Sequence, residues 1–258
     1  MLYNYLVILS YIGFDYAGWQ IQKNIKTVQG EITKTLEEIL EIKIEKSSYT
    51  GRTDRGVSAL FQYFNFFCSK NLNITSDIID QINQRLPFEI FVLDFKKVSP
   101  SFSGRYDVKF KQYIYKLVIL TSEENRIQKY GLRNFYSVSK IEKDVVLQKL
   151  NNFIPLFNGK KDYSSYYKSE KEVRKNTLIN LETNYFIYEF FDFTVVNLEF
   201  KAAYFLRNMI RKIVGMLLAY LEDKINLEYI KDSLENPCPS KGKFLAPSEP
   251  LVLFYAKY

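Results

Sequence analysis

YTGRTDRGVSAL, Tyr49 to Leu60, sets one carboxylate, Asp54, between Arg52 and Arg55 and between Gly51 and Gly56. The segments on either side decide the fold. Ile42 to Lys46 and Ala59 to Cys68 read as strands, so the quoted stretch is the connection between them. Further out, Val28, Ile32, Leu36, Ile39 and Leu40 recur at helical spacing behind an N-cap at Thr27, and Leu2 to Tyr11 reads as a strand. On the C-terminal side, Ser76 caps a helix striped with Ile78, Ile79, Ile82 and Leu86. Pro87 ends it, and EIFVLDF, Glu89 to Phe95, is a strand. The order is β-α-β-β-α-β.

The remaining chain repeats that order. VKFKQYIYKLVIL, Val108 to Leu120, is a long strand, and a helix runs from Ser139 to Ile154 with Ser139 and Glu142 as a capping box. TLINLET and FTVVNLEF supply two strands, Ala203 to Leu221 and Leu227 to Leu234 two helices, and PLVLFYAKY the closing strand. The prediction is an α+β protein of two ferredoxin-like halves with antiparallel or mixed sheets and a cleft between them. Residues 1–99 form the half with the Asp54 loop and residues 100–258 the other, with KKVSPSFSGRYD as the junction. RNA-binding RRM domains share this topology, which makes a non-catalytic tandem RNA-binding protein the rival reading. Neither half contains the RNP1 pattern that such domains carry.

Composition narrows the chemistry. The 258 residues include no histidine, which removes Ser-His-Asp triads, Cys-His pairs, HExxH zinc sites and imidazole acid-base catalysis together. Cys68 and Cys238 stand too far apart in sequence for a CxxC ligand pair, and neither a P-loop nor a GxGxxG motif occurs. No metal and no cofactor is expected. A net charge of +7 favours an anionic partner, nucleic acid ahead of membrane, and 21 Tyr with 21 Phe offer rings for stacking on unpaired bases. No apolar run is long enough to span a bilayer, and MLYNYLVILS reads as a strand rather than a signal peptide. The expected address is cytoplasmic.

Within the loop, the two arginines make a positive field that favours an ionised Asp54, suited to a nucleophile or a fixed anion rather than to a general acid. Gly51 and Gly56 allow a tight turn and a close ligand, while the Thr53 and Ser58 hydroxyls can tie the loop to its own backbone. By chemistry alone the same residues also make a solvated hairpin loop. On the strand opening the second half, Tyr113, Tyr115, Leu117 and Ile119 share one face, which also suits core. Arg211 lies among Leu206, Met209, Ile210, Ile213, Val214 and Leu217. An arginine there is costly to bury unpaired and should meet a carboxylate, whereas Arg207 and Lys212 suit a solvated face.

GRTDRGVSA resembles the signature of the TruA family of tRNA pseudouridine synthases, G-R-T-D-x-G-V-x-A, whose aspartate is catalytic. The resemblance continues in order through GWQIQ, TVQGEI, FSGRYD, KQYIYKL, DYSSY and MIRKIVG, and so covers essentially the whole chain. It implies the pseudouridine synthase fold and an isomerase that acts on uridines 38, 39 and 40 of the tRNA anticodon stem-loop, works without a cofactor and is a homodimer. It implies that Asp54 is catalytic, that Tyr113 in K/R-x-Y-x-Y stacks on the target base, and that Arg211 in M-x-R-x-x-V-G partners the aspartate. Arg52, Thr53, Arg55 and Arg105 are then candidates for substrate contact, with Lys160, Lys161, Lys168, Lys171, Arg174 and Lys175 for phosphates. One departure is Ser58, where most members carry histidine; it leaves open a synthase with other tRNA target positions.

Overall fold

The structure, a computed structural model, describes residues 1–120, 134–139, 141–167, 176–190 and 193–258. Two compact units divide the chain: Met1–Lys111 with Val252–Tyr258, and Gln112–Leu251.

The first unit runs β1 (Tyr3–Tyr11), α1 (Val28–Leu40), β2 (Lys46–Tyr49), β3 (Ser58–Cys68), α2 (Ser76–Arg85), β4 (Ile90–Val98). Its strands lie in the order β4-β1-β3 with β2 antiparallel on the far half of β3, the ferredoxin-like order. The near half of β3 takes β10 (Leu251–Lys257) in parallel, pairing Ser58 with Val252 and Ala59 with Leu253. The sequence order alone groups this closing strand with residues 100–258, whereas Val252–Tyr258 falls in the first unit.

Alternation along β1 sends Tyr5, Val7, Leu9 and Tyr11 into the core, where Trp19, Val28, Ile32, Leu36, Phe64 and Phe66 are also fully buried. Each aliphatic side chain so buried contributes roughly 1.5–3 kcal/mol relative to exposure. Thr27 caps α1 by accepting from Gly30 N–H, as expected.

Two local expectations shift. Ile42 to Lys46 is not a strand, because Glu41 adopts the left-handed conformation at the end of α1 and the Glu37 side chain accepts from Ile44 N–H, holding that segment to the helix. The strand starts at Lys46 instead and delivers Tyr49 directly to the Asp54 loop. The cap of α2 is Thr75 rather than Ser76, its hydroxyl accepting from Ile78 N–H.

The second unit opens on β5 (Phe110–Leu120), whose first two residues belong to the first unit. It continues through β6 (Tyr136–Val138), α3 (Lys143–Phe153), β7 (Gly159–Asp162), β8 (Leu178–Glu189), β9 (Phe193–Ala202), α4 (Met209–Leu221) and α5 (Leu227–Glu235). The sheet order is β5-β9-β8-β7, with β6 parallel on β5.

Strands β6 and β7 were not legible in the sequence. The first explains why the Ser139–Glu142 capping box does not form: Ser139 is the exit from β6, and α3 starts at Lys143 with Glu142 as a cap that makes no side-chain bond. Helix α4 likewise starts at Met209 rather than Ala203, because Asn208 takes a left-handed conformation that helix interiors do not accept. Arg207 therefore precedes the helix.

The core of this unit is aromatic, with Phe153, Phe157, Tyr163 and Tyr166 in mutual ring contact. No helix among the described residues is long and apolar enough to cross a membrane.

Candidate active site

Residues 50–57 connect β2 to β3 and carry Asp54 on a rigid base. Asp54 C=O accepts from Val57 N–H at 3.2 Å, closing a turn whose third residue, Gly56, has φ +82°, open to glycine and strained for other residues. Beneath the turn runs the segment after β1. Trp19 N–H donates to Thr53 C=O at 3.2 Å and Gly56 N–H to Tyr16 C=O at 3.4 Å. Gly18, at φ +98°, lies so close that a Cβ there would sit 2.5 Å from Thr53 O and 3.0 Å from Asp54 C. The motif glycine at 18 thus serves the loop at 51–56 from across the fold.

Two hydroxyls complete the brace, with partners other than those the sequence suggested. Thr53 is buried, and its Oγ1 meets the Tyr11 hydroxyl at 2.8 Å. Ser58 is buried too, and its Oγ accepts from Gly13 N–H at 3.1 Å. Neither ties the loop to its own backbone. Both tie it to β1 or its exit, because those groups face the loop once the sheet forms. At the other end, Gln62 donates to Gly51 C=O at 2.9 Å and Lys111 Nζ to Thr50 C=O at 3.0 Å.

On this base Asp54 is half-buried, while Arg52 and Arg55 on either side are exposed, with Arg52 Nε donating to the Tyr49 hydroxyl at 3.3 Å. The arrangement presents one carboxylate between two solvent-facing guanidiniums, a geometry that can accept a polyanion around a single carboxylate.

Arg105 belongs to the same unit. Its N–H donates to Ser48 Oγ at 3.1 Å, which seats its loop on β2, and its guanidinium lies 5.4 Å from the ring centre of the exposed Tyr106. Sequence reasoning missed what anchors this loop. Asn65, fully buried on β3, accepts from Gly104 N–H at 2.8 Å and donates to Asn4, which in turn donates to Ser99 and Phe102 C=O. Two asparagines at strand positions otherwise filled by apolar residues were the available signal.

In the second unit, Tyr113 on β5 is 7% exposed and meets Phe205 edge to face at 5.1 Å between ring centres. Arg211 on α4 is half-buried; its Nε donates to Ala246 C=O at 2.9 Å, and its own C=O accepts from Ala246 N–H. The neighbouring Lys212 is also half-buried, and that burial pulls its ammonium pKa down, so it is not the fully solvated lysine expected.

Tyr115, two residues after Tyr113, is fully buried, and its hydroxyl finds no hydrogen-bond partner among the described residues. Burial pushes that phenol well up, with Tyr136 adding to the shift and Arg211 opposing it. Lys160 and Lys161 lie on the edge strand β7, the first exposed and the second half-buried. Lys168, Lys171, Arg174 and Lys175 lie outside the described residues. Among the described residues no group of three or more His, Cys, Asp or Glu could hold a metal ion.

The sequence model of a tRNA pseudouridine synthase family matches residues 154–258. Curated relatives extend the likeness to the rest of the chain. The tRNA pseudouridine synthase A of Aquifex aeolicus is 36% identical over 97% of each chain. That of Dictyoglomus thermophilum is 34% identical over 94% of this chain and 97% of its own. That of Fervidobacterium nodosum is 31% identical over 95% of each.

Proposed function

The chain belongs to the tRNA pseudouridine synthase family, and from that premise we propose that it isomerises uridines 38, 39 and 40 in the anticodon stem-loop with Asp54 as the catalytic carboxylate. The class of reaction follows from membership: the protein is an isomerase acting on tRNA. In that reaction the N1–C1′ bond breaks, the uracil turns, and a C5–C1′ bond forms while C5 loses a proton and N1 gains one. The atoms balance within the nucleoside, so no second substrate enters.

The observation that carries the assignment of Asp54 is its seat: a half-buried carboxylate on a turn braced from below, flanked by exposed Arg52 and Arg55. Attack on the base, attack on the sugar carbon and removal of a ribose proton all require that carboxylate ionised and held still. The arginines and Arg105 contact phosphates on either side of the extruded nucleotide. Tyr113 holds the uracil by its ring, Arg211 supplies a further positive charge, and the working form is a cytoplasmic homodimer.

Chemical mapping of pseudouridine in an unmodified tRNA transcript incubated with the protein tests the reading. Modification confined to positions 38–40 supports it; modification elsewhere means that the loop carrying Ser58 serves other targets, and none at all returns the chain to a binding role. The ring's part is read separately. Tyr113→Phe is expected to retain more activity than Tyr113→Ala, which loses stacking worth about 1–3 kcal/mol per base, roughly a 5- to 150-fold effect. Equal losses in single-turnover assays would show that the ring is not what acts.

A further inference from the structure

Tyr258, the residue after β10, reaches back into the first unit and joins the two loops that carry Asp54 and Arg105. Its ring lies 4.6 Å from that of Tyr63 and 5.4 Å from that of Phe102, centre to centre. Its hydroxyl donates to Gly104 C=O at 2.7 Å and stands 2.7 Å from Thr50 Oγ1. A phenol has one proton. With that proton given to Gly104, the Thr50 hydroxyl donates to Tyr258 at 2.7 Å in preference to its other acceptor, Tyr63 C=O at 3.5 Å, and Thr50 Oγ1 in turn accepts from Tyr63 N–H at 3.1 Å.

The chain of bonds therefore has one direction, Tyr63 N–H to Thr50 O–H to Tyr258 O–H to Gly104 C=O, and each member polarises the next. Thr50 is 1% exposed, so water does not substitute for these bonds. Burial also raises the Tyr258 phenol pKa, which keeps it a donor throughout the physiological range.

Thr50 is the stem of the loop that ends in Asp54, and Gly104 precedes Arg105. We propose that Tyr258 is a positioning residue, whose hydroxyl fixes the spacing between the Asp54 loop and the Arg105 loop so that a phosphate held by one sets the nucleotide in register with the other. The inference rests on Asp54 being the reacting carboxylate and Arg105 a phosphate contact. Misplacing a reacting group by about 1 Å costs on the order of 100-fold, and a loop freed from one of several ties is expected to lose part of that.

Tyr258→Phe keeps the stacked ring and removes only the hydroxyl. Under single-turnover conditions with enzyme saturating over tRNA, its rate is expected to fall about tenfold while the tRNA Kd stays within twofold. Thr50→Val should give the same defect, the double variant Thr50→Val/Tyr258→Phe no more than either alone, and Thr50→Ser should stay near the parent rate.

A Tyr258→Phe rate within twofold of the parent, or defects that multiply in the double variant, would overturn the proposal, as would a fall in Kd-limited binding with the bound rate unchanged. Asp54→Asn run alongside separates the two levels. If it still makes pseudouridine, the assignment of Asp54 fails and the proposal with it; if it does not, a normal Tyr258→Phe overturns the positioning role alone.

Discussion

Asp54→Asn is expected to bind tRNA within about twofold of the parent and to form pseudouridine at least 10⁴-fold more slowly, on the order of what removing a reacting group costs an enzyme. The change is nearly isosteric. It leaves in place the contacts that brace the loop: Trp19 N–H on Thr53 C=O, Gly56 N–H on Tyr16 C=O, the Tyr11–Thr53 hydroxyl pair and the Ser58–Gly13 bond. It also leaves Arg52, Arg55 and Arg105, and hence the positive charge proposed to meet phosphate. What disappears is the anion. Tritium release from tRNA labelled at uracil C5 reads turnover, and filter binding reads affinity. A variant retaining more than about a hundredth of the parent rate would show that another group does the chemistry.

Gly18→Ala is expected to destabilise the protein by about 2–4 kcal/mol and to lose most activity, although the residue touches no substrate. Two costs combine. A φ of +98° is strained for any residue with a Cβ, and the new methyl would stand 2.5 Å from Thr53 O and 3.2 Å from Arg55 N, inside the backbone of the Asp54 turn. The turn cannot yield without losing its bonds to Trp19 and Tyr16.

Gly159→Ala is the control, since Gly159 has φ +92° and nothing within 4 Å of the added carbon. It should cost only the conformational part, about 1–2 kcal/mol. Urea unfolding of the two variants separates the effects: equal losses would mean that close approach beneath the loop is not the constraint.

Much of this site was legible as chemistry before it was legible as geometry. The loop, its aspartate and the glycines on either side stand in nine consecutive residues, and Thr27 and the α1 stripe follow from local spacing. Partner choice was not legible. Thr53 and Ser58 could as well have bonded within their own loop, and only the pairing of β1 with β3 presents Tyr11 and Gly13 to them, 42 and 45 residues away. Asn4 and Asn65 looked like interruptions in two apolar strands until the 99–104 loop lay across them. The misplaced strand at Ile42–Lys46 had the right alternation, but the left-handed Glu41 and the Glu37 side chain kept it on the helix end.

By itself the sequence determined the family, the β-α-β-β-α-β order of the first unit and the absence of imidazole chemistry, and it singled out Asp54 as the candidate acid, because these depend on residue identity and short-range spacing. Tertiary structure alone decided that Gly18 lies under Asp54 and that Tyr258 reaches Thr50 from 208 residues away. A hydroxyl or an amide is satisfied by whichever group the fold brings within about 3 Å, and no local pattern records which group that will be.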